Sequence, residues 1–116
     1  MREVQKMFTS GLTDTIDVIE IGKADSSFGT VIPTESTVQE TLLCRFTKMK
    51  AELLTTYAGK DSEKMWQVIT TNTDKFVRGR VYKVDDGTFK YDVLFAQRQR
   101  DASGEYHHVT LHVEQI

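Results

Sequence analysis

The chain has 116 residues, 39% of them hydrophobic and 28% charged, which suits one domain with its own core and excludes a disordered segment. Fifteen Lys and Arg against seventeen Asp and Glu give a net charge of −2, so whole-chain charge argues against a nucleic-acid binder while leaving room for a local basic patch. A single cysteine, Cys44, excludes an internal disulfide framework and a Cys cluster for zinc, and no apolar run approaches the roughly 20 residues needed to span a bilayer. With no hydrophobic signal region behind the N-terminus, the expected setting is reducing and cytoplasmic.

Residues 1–12 read as an N-terminal arm or a single helical turn capped by Gly11. The first strand covers residues 15–21, and its alternation slips once. Ile16 and Val18 share one face, Ile19 and Ile21 the other, so a β-bulge near Val18 and Ile19 would bring all four inside. A turn signal at residues 24–29 precedes a strand at 30–34, where Pro33 has no amide hydrogen to donate and belongs at an edge or a break. Val38, Glu40, Leu42, Cys44 and Phe46 lie on one face of the next strand, with Glu40 near its end where that face meets water.

Residues 48–60 break the alternation. Met49, Leu53 and Tyr57 recur every four residues and Gly59 can end a helix, so this is a short helix or a long loop. Strand character resumes at residues 65–71, and Asn72, Thr73 and Asp74 form a turn. The last third reads as three strands, at 80–84, 88–95 and 106–113, joined by an Asp86-Gly87 turn and a turn at 101–104. The expected fold is all-β: a single domain, residues 1–116, forming a small antiparallel barrel or sandwich of about six strands with one long central loop or short helix.

Several residues invite a chemical role. His108 and His112 have the i, i+4 spacing that puts two imidazoles over one zinc ion on a helix. On a strand the same spacing separates them by roughly 13 Å, so no metal site is expected. Val109, Leu111 and Val113 form the apolar face there, leaving His108, Thr110 and His112 on the wet one. Cys44 shares a face with Leu42 and Phe46 and reads as a small core residue, since a nucleophile needs a histidine and an electropositive pocket. Asp85 and Asp86 have a sufficient role in the turn, and Asp14 and Asp17 in a strand entrance and its wet face. No catalytic residue, cofactor site or metal site is therefore assigned.

Two surface groups remain. Arg78, Arg80, Arg98 and Arg100 border strands carrying Tyr82, Phe89 and Tyr91, a candidate basic patch of the kind with which OB- or SH3-like barrels hold single-stranded nucleic acid. Lys48, Lys50, Glu52, Leu53, Leu54, Tyr57 and Lys60 form a candidate partner loop, read either as an exposed segment with apolar anchors or as a docking element.

The order of these features resembles the head–tail connector proteins of long-tailed phages, in particular the head-closure or stopper family. The resemblance is carried by residues 7–12 leading into the first strand, Ser27-Phe28-Gly29, the strand end at Leu43-Cys44-Arg45-Phe46 and the loop from Ala51-Glu52-Leu53 to Ala58-Gly59. It closes on the run Arg78-Gly79-Arg80-Val81-Tyr82, Asp86-Gly87 and Tyr91-Asp92-Val93. It covers nearly the whole chain by pattern and spacing, and departs from the family at Trp66 and in the length of the turn after Arg98. The resemblance implies a non-enzymatic virion protein of the neck, assembled in the host cytoplasm. It implies a ring of six copies between the portal–adaptor complex and the tail terminator or tail tube, which retains packaged DNA and docks the tail. Genomic DNA would pass through the channel without sequence-specific binding, with residues 48–60 facing the channel or the neighbouring ring. Another neck protein or a tail terminator is the nearest alternative within the same reading.

Overall fold

A computed structural model describes residues 11–25 and 31–116. Six strands close into one antiparallel barrel: β1 (Asp14–Asp25), β2 (Val31–Lys48), β3 (Met65–Thr71), β4 (Val81–Asp85), β5 (Lys90–Arg100) and β6 (Tyr106–Gln115). The order around the wall is β1-β2-β3-β6-β5-β4, with β4 pairing back onto β1 to complete it. The expected small all-β barrel is the fold. Between β2 and β3 lie helix α1 (Ala51–Leu54) and two 3-10 turns, Thr55–Tyr57 and Ser62–Lys64. Among the described residues no helix is long and apolar enough to cross a membrane.

Period-two alternation decides what fills the barrel. Val109, Leu111 and Val113 of β6 are fully buried, as are Val68 of β3, Val84 of β4 and Cys44 of β2, with Ile16, Val18, Leu42, Tyr82 and Tyr91 completing the cluster. Each wholly buried aliphatic side chain stabilises the fold by about 1.5–3 kcal/mol relative to exposure. The turns follow the residues that permit them. Gly87 at φ 95° lets the chain reverse between β4 and β5, where Asp86 Oδ1 accepts hydrogen bonds from the Thr88 and Phe89 amides at 2.8 and 2.7 Å.

The first hairpin departs from the sequence reading in an instructive way. The strands expected at 30–34 and 38–46 run, from Val31 onward, as one 18-residue strand, β2, rather than two. Its register against β1 slips on both sides of Val18: Ile16 faces Leu42, Val18 faces Gln39 and Ile19 faces Thr37. The extra residues are therefore on β2, where Thr41 takes φ 54°, an unusual angle for a β-branched residue. The Thr41 amide donates to Asp17 Oδ1 at 3.1 Å, which gives that carboxylate its structural task. Against β4, β1 stays regular from Asp17 to Ile21. The expected bulge lies in the expected place, yet it does not bring all four aliphatics into the core. Val18 faces the buried Val84, whereas Ile19 and Ile21 pair with Lys83 and Val81 on the other side of the sheet. Ile19 is still nearly buried there, outside the central cluster.

Beyond Ile21, β1 loses β4 as a neighbour, and β2 acquires β3 only from Cys44 onward. Gly22–Asp25 and Val31–Thr34 thus continue as a two-stranded ribbon outside the barrel wall, and the molecule is 55 Å long against 32 and 28 Å across. Pro33 sits on this singly paired stretch, as a residue without an amide hydrogen should. Residues 1–10 of the arm expected at 1–12, and the Phe28-Gly29 turn, lie outside the described residues, while Leu12 is buried.

Candidate functional site

The segment between β2 and β3 is too short in helix to stand alone, since helices of fewer than about 12 residues are marginal in water. It is fastened to the barrel wall instead. Tyr57 Oη lies 2.7 Å from His112 Nδ1, and Phe95 stacks on the same imidazole with ring centroids 4.7 Å apart. Lys60 Nζ reaches Glu114 Oε1 at 3.1 Å. Lys48 Nζ donates to the Glu63 carbonyl at 3.1 Å and lies 4.3 Å from the centre of the Trp66 ring. Gly59, at φ 90°, ends the turn. Of the seven candidate partner-loop residues, Lys48, Tyr57 and Lys60 hold the segment down. Leu53 and Leu54 are half-buried, and Lys50 and Glu52 face solvent.

This covering overturns the expectation that β6 has a wet face. His112 is only 8% exposed and Thr110 equally buried, so β6 is dry on both faces from Val109 to Val113. Burial holds the His112 imidazole below its usual range, and burial followed by the neighbouring His107 does the same for His108. Neutral His112 with its proton on Nε2 can accept the Tyr57 hydroxyl hydrogen at Nδ1. Among the described residues no three His, Cys, Asp or Glu side chains are grouped to hold a metal ion.

The basic patch converges on one groove. Segment 76–80 and the stretch of β5 from Val93 to Arg98 enclose about 730 Å³, with Arg78, Arg80 and Arg98 on its walls beside Phe95 and Tyr106. Three of the four arginines are already engaged. Arg80 pairs with Glu20 at 2.9 Å, Arg98 donates to Asn72 Oδ1 at 3.0 Å, and Arg100 donates to the Gly104 carbonyl. The Arg98 and Arg100 guanidiniums lie 3.6 and 4.0 Å from the centre of the Tyr106 ring. The sequence reading placed Asn72 in a turn and Tyr106 in a strand but missed that both hold the arginines of this patch. Tyr106 could have been found from the short turn at 101–105, which sets it opposite Arg100. Of the aromatics named beside the patch, Tyr82 lines this groove but is nearly buried, its hydroxyl accepting from the Val77 amide at 2.7 Å, whereas Phe89 and Tyr91 lie at the other end of the barrel.

At that other end, Phe46, Trp66, Phe89 and Tyr91 line a recess of about 550 Å³ with Asp14 and Asp86. Burial pushes the Asp86 carboxyl up, but hydrogen bonds from the Phe89 and Thr88 amides and the Tyr91 hydroxyl outweigh it and hold the group below its usual range. Asp86 is thereby a turn-former, as its place in the sequence implies. Burial, then the Asp14 and Asp86 charges, pushes the Cys44 thiol up to about 12. A thiol that buried and that weakly acidic is a packing group, not a nucleophile.

No protein-family model matches the chain, and no curated protein does either. A solved structure does: the solution structure of protein SF1141 from Shigella flexneri 2a, at 12% sequence identity and a TM-score of 0.61. The match covers 90% of this chain and 92% of that one. The likeness is one of fold.

Proposed function

We propose that this protein is a structural component of a tailed-phage neck, a head-closure connector that works by assembling into a ring. The observation that carries the reading is the β1–β2 ribbon: a closed barrel that needs no further strand nevertheless extends two of its strands past the wall. A two-stranded ribbon in water is marginal by itself, and such an edge is managed by covering or pairing it. Exposed Val77, Val81, Leu94 and Phe95 on the barrel add apolar surface for a neighbour. The six-copy ring, the portal–adaptor and tail partners and the virion location come from the sequence resemblance. A net charge of −2 suits a conduit for DNA, because each Lys or Arg contact to phosphate would add affinity that hinders passage. Electron microscopy of the purified protein, and of particles containing it, tests this. Rings at the portal–tail junction are expected, and a strict monomer that joins no portal or tail complex would sink the reading.

A second reading has one observation in its favour. Arg78, Arg80 and Arg98 share a groove with two exposed aromatics, as in barrels that hold single-stranded nucleic acid. The ties of Arg80 to Glu20 and Arg98 to Asn72 weigh against it. A salt-dependent mobility shift with oligonucleotides is its test, and the absence of binding at low salt would remove it.

A further inference from the structure

We infer that the groove beside β5 is the receptor for the ribbon of a second copy of this chain, joined by strand addition; the inference rests on the ring reading above and says where the copies meet. β5 pairs with β6 along nearly its whole length, but with β4 only at Lys90, Tyr91 and Asp92. From Val93 to Arg100 its other edge has no strand beside it, and no backbone hydrogen bond joins segment 76–80 to that edge among the described residues. An unpaired strand edge is a template for another strand. Here it forms one wall of a groove 730 Å³ in volume, whose lining also includes Val77 and Arg78.

The same molecule carries the complementary element. From Val31 to Leu43, β2 is paired only with β1, so its outer edge is also vacant among the described residues. Ile32 is 48% exposed on that ribbon, an apolar residue matched to Val77, Leu94 and Phe95 in the groove. Charge agrees as well: Glu35 and Glu40 lie exposed on β2, and Arg78, exposed, lines the groove. Among the described residues Glu35 is held by a loose 3.9 Å contact to Lys90 between two half-exposed side chains, a pair worth little in water. A ribbon and a groove on different parts of one chain make a heterologous contact. Repeated head to tail it closes into a ring or runs on as a filament. Strand addition supplies affinity through main-chain hydrogen bonds, and the Ile32 and Glu35 side chains fix the register.

The experiment introduces two cysteines, Ser36→Cys on the vacant edge of β2 next to the ribbon and Gln97→Cys on the β5 edge, both at exposed positions. Cys44 is buried and stays out of the chemistry. Oxidation of the concentrated double variant should give a ladder of disulfide-linked copies, while each single variant stops at dimers. In parallel, Arg78→Glu should weaken self-association about tenfold in sedimentation, and combining it with Glu35→Arg should restore most of the loss. Rings seen by microscopy that neither cross-link nor respond to Arg78→Glu would overturn the strand pairing and leave the ring intact. Monomers throughout, with no cross-linked ladder, would overturn both. Oligonucleotide binding lost in Arg78→Glu without any change in self-association would assign the groove to nucleic acid instead.

Discussion

The two halves of the first hairpin share the same pair of strands and have opposite fates. Near the barrel, Ile16 and Val18 of β1 and Leu42 and Cys44 of β2 are buried, because there β1 gains β4 from Asp17, β2 gains β3 from Cys44, and the sheet closes over them. Past Ile21 the same strands keep only each other, and residues 32–37 of β2 are exposed throughout. The barrel end is specified by burial. The ribbon is specified by little beyond its own hydrogen bonds and a close approach at Gly22, where a Cβ would meet Thr34 Oγ1 at 2.9 Å. Burial and exposure are thus divided between two parts of one hairpin.

That division can be broken by mutation. Leu111→Ala, at a wholly buried position, should cost about 2–5 kcal/mol in urea unfolding. Ile32→Ala on the ribbon should stay within about 0.5 kcal/mol, and equal losses at the two sites would end the comparison. Asp86→Ala comes next, at about 1–3 kcal/mol, since it strips an acceptor from two amides and from the Tyr91 hydroxyl together; thermal unfolding reads it out. Tyr57→Phe should cost about 0.5–1.5 kcal/mol and raise amide exchange in residues 51–57 while leaving the β3 and β6 amides protected.

A pH series sharpens the picture further. His108 and His112 both titrate below 6.5 in the folded protein, so the unfolded chain takes up their protons first as the solution is acidified. Their contribution is complete above pH 6.5 and is lost as pH falls from 6.5 through the lower folded values. Melting temperature measured stepwise from neutral pH downward should fall in that window, and His112→Gln should flatten the slope. A melting temperature that rises on acidification there would contradict the burial of these rings.

Much of the barrel was legible because closed antiparallel sheets repeat one rule. Val109, Leu111 and Val113 alternate, Asp86-Gly87 turns, and both readings hold residue by residue. The failures share a cause. His112 looked wet because alternation knows only the sheet, and the group that covers it, Tyr57, lies 55 residues earlier in a segment with no strand period. Ile19 and Ile21 looked inward because a bulge was expected on their own strand, whereas the extra residues stand on β2 beside Thr41. The groove was half visible: its arginines are conspicuous in the sequence, but the vacant edge of β5 arises only from β4 being shorter than its neighbours.

The shortness of β4 also governs how the molecule bears force. Tension applied to the ribbon along its axis would enter the wall through both β1 and β2, and the seam of β1 with β4, Asp17–Ile21 against Val81–Asp85, would be loaded in shear. The load then crosses to β5 over a seam of only Lys83, Val84 and Asp85 against Asp92, Tyr91 and Lys90. Pulled from its ribbon, the barrel should unlatch between β4 and β5 while the wall from β2 through β3 to β6 stays whole. A strand seated in the groove beside β5 would lie next to that seam and splint it.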